Sequence, residues 1–285
     1  MKKTENKELA INSKILFATI KDKKIAYRSI GSGKPLILLN RFRGNLDTWD
    51  PLFLDSLAKK FNVITFDPSG FASSTGTPNV TLLDFANDVK DLAGALKLEE
   101  CLICGWSFGG MIAQVATVAF PKLFSHLVLI GTNPPGINKS PIEDIFFEVS
   151  RKLHNDLADE EILFFEPKSE KSKKAALESH NRLAERKESL DSAIAPELWN
   201  NYTVAVGEYI EDKENYRNAI LETETPILVL SGDHDLCFPV ENWYALSKKF
   251  KSGHLIVTPQ SGHGPQHEFP ELFAKYIIDF VEHIR

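Results

Sequence analysis

The stretch CLICGWSFGG, Cys101 to Gly110, decides the fold, and Ser107 stands at its centre. Leu102 to Cys104 reads as a short apolar strand that runs into Gly105-Trp106-Ser107-Phe108-Gly109-Gly110, with a helix starting near Met111. A serine at Gly-x-Ser-x-Gly spacing between strand and helix is a nucleophile elbow. The tight backbone of such a turn projects the hydroxyl from the end of the sheet, and only small residues fit two places before and after it. Gly105 and Gly109 occupy those places. The amide of Phe108 then lies at the foot of a helix, where a free N–H and the positive end of the helix dipole can hold an oxyanion.

Outward from the elbow, strand and helix alternate. Before it come Ile15 to Ile20 and Lys24 to Ile30, joined by the turn at Lys21-Asp22-Lys23, then Pro35 to Leu39 and Asn62 to Phe66 as apolar runs suited to strands covered on both faces. Trp49 to Lys60 has helical spacing. Thr81 to Leu96 is amphipathic, with Leu82, Phe85, Val89, Leu92 and Leu96 on one face and Thr81 with Asp84 as its capping pair. After the elbow helix, which Pro121 ends, His126 to Ile130 returns to strand. The alternation predicts a mostly parallel sheet with helices on both faces and chemistry at the carboxyl ends of its strands.

From Asn133-Pro134-Pro135-Gly136 to about Thr225 only helical pattern is found, which predicts an inserted helical cap. Its segments are Ile142 to Leu153, Ile162 to Phe165, Lys173 to Arg186 and Trp199 to Tyr209. The sheet resumes at Pro226 to Leu230, followed by a helix near Glu241 to Phe250, a last strand at His254 to Thr258 and a closing helix from Pro270 to Ile284. The chain therefore divides into a core from 1 to 133, a cap from 134 to 225 and the rest of the core from 226 to 285. Lys168 to Lys174, KSEKSKK, reads as a solvated surface.

A serine hydroxyl needs a base beside it to attack at neutral pH. Of eight histidines, His263 sits in Ser261-Gly262-His263-Gly264, directly after the last strand, where the loop crosses the carboxyl end of the sheet and the glycines permit close approach. The other seven read as structural or solvated. The base needs a carboxylate to fix its tautomer. Ser231-Gly232-Asp233-His234-Asp235 follows the penultimate strand, and Asp235 is the better placed of its two acids because it lies deeper in the loop before Pro239. The order Ser107, Asp235, His263 predicts acyl transfer, with no metal or organic cofactor called for.

With 285 residues, 43% of them hydrophobic, the chain can bury one large core. A formal net charge of -6 argues against nucleic acid or an anionic membrane as the main partner. The start, MKKTENKELAINSK, reads as a polar arm with no apolar segment of the secretory type, and a cytoplasmic location is expected. Cys101, Cys104 and Cys237 read as buried free thiols.

The chain resembles the α/β-hydrolase superfamily over nearly everything from Ile15 to Ile284. The resemblance is carried by the elbow, by Gly232-Asp233-His234-Asp235 with Pro239, by Gly262-His263 with Glu268 and Pro270, and by Asp67-Pro68-Ser69-Gly70 with Ser73 and Ser74. It is similar to the helically capped group of esterases, cofactor-free haloperoxidases or perhydrolases, and carbon–carbon bond hydrolases. Haloalkane dehalogenases and epoxide hydrolases carry Asp at the elbow, so Ser107 sets the chain apart from both. The resemblance implies cleavage of a small carboxylic ester or related acyl substrate, with an apolar acyl or aromatic group, through an acyl-enzyme. It also implies that the amide of Phe42 forms the other half of the oxyanion hole. Here the chain departs from the group's pattern: Asn40-Arg41 stands where most members have His-Gly. Asn40 can bond the loop backbone as the histidine would, whereas Arg41 places a side chain where glycine lets the loop bend. Arg41 and Arg43 have two uses, recognition of an anionic substrate or ion pairing with Asp47, Asp50 or Asp67, and the second is the expectation. The pocket is expected between sheet and cap, walled by Phe42, Trp106, Phe108 and aromatics drawn from Phe146, Phe147, Phe164, Phe165 and Trp199. Arg41 is also the one feature that favours a small-molecule receptor over an enzyme.

Overall fold

Alternation of side chains along the apolar runs sorts them into two cores, one on each face of a sheet. In the computed structural model, which describes residues 9–284, eight strands form that sheet. They are β1 (Leu16–Ile20), β2 (Lys23–Gly31), β3 (Lys34–Leu39), β4 (Phe61–Phe66), β5 (Cys101–Trp106), β6 (Phe124–Ile130), β7 (Ile227–Gly232) and β8 (Gly253–Thr258). Their order is β1-β2-β4-β3-β5-β6-β7-β8. β2 runs antiparallel to both neighbours and every other pair is parallel. Along β3, Ile37 and Leu39 enter one core and Leu36 and Leu38 the other, as the period of two requires.

The helices are α1 (Pro51–Leu57), α2 (Leu82–Ala95), α3 (Phe108–Ala119), α4 (Asp144–Ser150), α5 (Leu157–Phe164), α6 (Glu170–Leu183), α7 (Trp199–Glu211), α8 (Tyr216–Glu222), α9 (Glu241–Tyr244), α10 (Pro265–Glu268) and α11 (Pro270–His283). Phe85, Val89 and Leu92 of α2 and Met111, Ile112 and Val115 of α3 fill one core. Phe53 and Leu57 of α1 and Phe273, Ile277 and Phe280 of α11 fill the other. α2 begins with the capping box expected from its sequence: Asp84 N–H donates to Thr81 Oγ1 at 3.1 Å and Thr81 N–H to Asp84 Oδ2 at 3.0 Å.

The structure differs from the sequence expectation in several places. α1 starts two residues later than predicted, because Asp50 accepts from Leu52 N–H at 2.9 Å and Pro51 takes the first helical position. The helix expected from Glu241 to Phe250 is α9 followed by a single 3₁₀ turn at Ser247–Lys249, where Ser247 Oγ bonds the Tyr244 carbonyl at 2.9 Å and competes with the helical ladder. α8 and α10 were not expected, being seven and four residues long. The expected polar arm lies outside the described residues over 1–8. Its remainder is docked, with Ala10 buried and its N–H donating to Asp55 at 2.7 Å.

Register places the site. Leu39 pairs with Gly105, Trp106 with Ile130, and Gly232 with Thr258, so strands β3, β5, β6, β7 and β8 end at one edge of the sheet. The loops that leave β3, β5, β7 and β8 there carry residues 42, 107, 235 and 263.

Candidate active site

Ser107 is held at φ 58°, ψ -121°, a left-handed backbone that a residue with a side chain adopts only under constraint. The constraint is contact on both sides. A Cβ on Gly105 would lie 2.1 Å from the Gly109 carbonyl oxygen, and one on Gly109 would lie 2.1 Å from the Leu39 carbonyl oxygen. α3 starts at Phe108, three residues earlier than expected, because the elbow passes into the helix with no intervening turn. Phe108 is thus the first helical residue, and its amide has no acceptor among the described residues.

His263 Nε2 lies 2.8 Å from Ser107 Oγ. On the other side of the ring, Nδ1 lies 3.0 and 2.9 Å from the two carboxylate oxygens of Asp235. A carboxylate only accepts, so the proton sits on Nδ1 and Nε2 is free to accept from the serine hydroxyl. Asp235 Oδ1 also accepts from the amides of Cys237 and Phe238, both at 2.8 Å, which fixes the carboxylate in place. All three residues are buried. Asp233 faces elsewhere: its amide joins the Thr258 carbonyl and its carboxylate meets Ser261 N–H. A serine hydroxyl donating to a neutral imidazole that an acid steers can attack a carbonyl while the imidazole takes the proton.

Trp106 is fully buried and does not line the cavity, contrary to expectation. Its indole Nε1 donates to the His263 carbonyl at 2.8 Å, so it anchors the histidine loop from beneath. Phe146 and Phe238 meet the His263 ring at centroid distances of 5.5 Å each. Phe238, three residues past Asp235, was not anticipated, although its place in the same loop is a signal.

The loop after β3 bends without strain at Arg41. Among its residues the positive φ falls on Arg43, at 60°, and Gly44 N–H closes a turn on the Arg41 carbonyl at 3.0 Å. Asn40 takes the part expected for it, its Nδ2 donating to the Asn45 carbonyl at 2.7 Å and to Thr48 Oγ1 at 2.6 Å. The Phe42 amide has no acceptor among the described residues, and its ring packs edge-on against Tyr202 at 5.0 Å and Trp199 at 5.9 Å.

The expected ion pairs of Arg41 and Arg43 are not formed. Asp47 is taken by Arg28 and Arg186, Asp50 by Arg182, and Asp67 is buried beside Asp191, burial and that second carboxyl holding its pKa well above the usual range. Arg43 instead ties the end of α4, donating to the carbonyls of Ser150, Lys152 and Leu153 at 2.7 to 2.9 Å with its guanidinium 4.1 Å from the Trp199 ring centre.

In front of Ser107 and His263 lies a cavity of about 210 Å³, lined on the sheet side by Arg41, Phe42, Phe108 and Met111 and on the helical side by Phe146, Phe147, Phe164, Tyr202 and Val206. Phe165 and Trp199, named in the sequence, are not part of the lining. Tyr202 was missed: one aromatic in a helical run carries no signal of which way it faces.

Behind Trp106, His267 packs against the indole with ring centres 4.7 Å apart and planes tilted by 38°, and its Nδ1 lies 3.0 Å from Ser179 Oγ, which donates to Asp50 at 2.8 Å. Burial first, with Arg41 and Arg182 adding and Asp50 opposing, pushes the His267 pKa down to about 4. Unfolded, a histidine titrates near 6.5. The folded chain thus binds fewer protons between those values, so the stability that the neutral ring contributes is complete above about pH 6.5 and is lost as the pH falls toward 4. Urea melts across that range are expected to show His267→Gln losing less stability on acidification than wild type, by roughly 3 kcal/mol.

The described residues contain no helix long and apolar enough to cross a membrane. A family model described as the alpha/beta hydrolase fold matches residues 34–270. Among curated relatives, the chain is 23% identical to a pimeloyl-[acyl-carrier protein] methyl ester esterase of Wigglesworthia glossinidia brevipalpis, the match covering 91% of this chain and 98% of that one. It is 24% identical to a putative non-heme chloroperoxidase of Synechocystis, covering 90% and 95%. Among solved structures, an alpha/beta hydrolase fold protein from Chitinophaga pinensis superposes with a TM-score of 0.86 at 24% identity, covering 96% of this chain and 99% of that one.

Proposed function

The chain belongs to the α/β-hydrolase family, and from that premise we propose that it is a serine hydrolase that cleaves small carboxylic esters through an acyl-enzyme on Ser107. What carries the reading is the chain of contacts from Asp235 through His263 to Ser107, set at an elbow beside two unbonded amides. His263 takes the Ser107 proton as the hydroxyl attacks the ester carbonyl. The amides of Phe42 and Phe108 receive the oxyanion, and His263 returns the proton to the leaving alcohol. Water then repeats the sequence on the acyl-enzyme, with His263 again as base and Ser107 as leaving group. Asp235 fixes the tautomer and stabilises the imidazolium throughout.

Residues 134–225 are the cap in this reading. α4, α5 and α7 supply Phe146, Phe147, Phe164, Tyr202 and Val206 to the cavity, a lining suited to an apolar acyl or aromatic group. The esterase named among the relatives supports ester chemistry, and the putative chloroperoxidase named beside it keeps peroxidase chemistry as the alternative on the same triad.

A fluorophosphonate probe should label the protein at Ser107, and p-nitrophenyl esters from acetyl to octanoyl should be turned over. Labelling with no turnover of any ester in that series would overturn the ester assignment, and no labelling would overturn the serine mechanism itself.

A further inference from the structure

Arg41 is a cation in an apolar setting with no counter-ion among the described residues. Its guanidinium lies 4.5 Å from the Phe164 ring centre and 5.4 Å from that of Trp106. Nη1 donates to the Phe42 carbonyl at 2.8 Å, Nε is buried with no acceptor, and Nη2 has none among the described residues. The contrast with the neighbouring arginines is sharp: Arg28, Arg182 and Arg186 each meet an aspartate. Glu160 is the acid whose field reaches Arg41, but its carboxylate is engaged by His180 at 2.9 Å. Burial lowers the Arg41 pKa to about 10, which leaves the group charged at neutral pH.

The cavity repeats the imbalance. Arg41, Arg43 and Arg151 line it and, among the described residues, no aspartate or glutamate does. Arg43 is committed to backbone carbonyls, while Arg151 rests beside the Phe147 ring at 5.5 Å. A buried charge without a partner is strongly unfavourable, and a fork of unused N–H donors matches a carboxylate. The missing anion is therefore one that a ligand brings.

Resting on the ester-hydrolase reading above, we propose that the preferred substrates are acyl esters that carry a carboxylate, of the half-ester type, and that Arg41 is the residue that selects them. The carboxylate accepts from the free guanidinium edge while the apolar chain lies against Phe108, Met111 and Val206 and the ester carbonyl meets Ser107.

The test compares kcat/KM for the mono-p-nitrophenyl esters of succinic, glutaric and adipic acids with those of pentanoic, hexanoic and heptanoic acids, neutral esters of matching reach. Wild type should favour at least one anionic ester over its neutral counterpart, and Arg41→Met should lower that ratio by roughly 10-fold to 100-fold, the worth of one charged hydrogen-bonded contact. An unchanged ratio in Arg41→Met, or no preference in wild type, overturns the proposal. Equal slowing of both esters does so too, since it would make Arg41 a support of the oxyanion loop. A second arm needs no catalysis. Succinate, glutarate or adipate should raise the Tm of wild type, adipamide should not, and Arg41→Met should lose the response. If the anions stabilise wild type while no ester is turned over, the anion site stands and the ester reading falls. If neutral esters are turned over and no anion stabilises, the reverse holds. Should Arg41→Met fail to fold, Arg41→Lys, which keeps the charge and loses the fork, takes its place in both arms.

Discussion

Ser107→Ala is expected to lower kcat for p-nitrophenyl ester hydrolysis by about 10⁶-fold, with fluorophosphonate labelling abolished. Among the described residues the hydroxyl is the one hydrogen-bond partner of His263 Nε2, at 2.8 Å, so no neighbouring group inherits the attack. The loss is not additive with that of the base. His263→Ala alone and the double variant should both fall to about the level of Ser107→Ala, because each removes the same covalent step. The fold should be spared, since among the described residues Ser107 Oγ makes no bond other than the one to His263 and the strained backbone at φ 58° is held by contacts of Gly105 and Gly109 rather than by the hydroxyl. A variant that retains turnover within about tenfold of wild type would remove Ser107 from the mechanism.

The second large effect is at Asp235. Asp235→Asn should lower kcat/KM by about 10⁴-fold while Asp233→Asn leaves it near wild type. The amide oxygen of an asparagine can still accept from the Cys237 and Phe238 amides, which meet Oδ1 at 2.8 Å, so the loop keeps its shape. Its NH₂ then faces His263 Nδ1 and donates where the carboxylate accepted. The ring responds by moving its proton to Nε2, and a protonated Nε2 cannot take the serine proton. Geometry survives and the tautomer is wrong. A comparable loss in Asp233→Asn, or turnover near wild type in Asp235→Asn, would transfer the role to another acid.

Legibility in the sequence followed the range of the interaction. Gly105 is legible because the clearance it provides is local, a Cβ there meeting the Gly109 carbonyl in the same turn, and Gly109, which clears Leu39 on β3, is legible from its spacing to Ser107. Thr81 with Asp84 is legible for the same reason, a capping box being a bond between neighbours. The parallel run of the strands follows from alternation, and with it the arrival of residues 107, 235 and 263 at one edge.

Partners between distant side chains were not legible. Asp47 and Asp50 lie close to Arg41 and Arg43 in the chain, which favoured pairing them. Their carboxylates instead meet Arg28 on β2, Arg182 on α6 and Arg186 just beyond it. Trp106 sits beside Ser107 yet turns into the core to hold the His263 carbonyl, and Tyr202 enters the cavity from a helix more than ninety residues along.

The sequence by itself determined the sheet, the elbow and the set of residues able to sharpen a serine, because period and steric clearance act over a few residues and leave their mark in composition. The tertiary structure decided which aromatics wall the cavity and that Arg41 is left without a counter-ion among the described residues. Those depend on how the segment between β6 and β7 packs over the sheet, and packing between remote faces is set by the summed fit of many side chains.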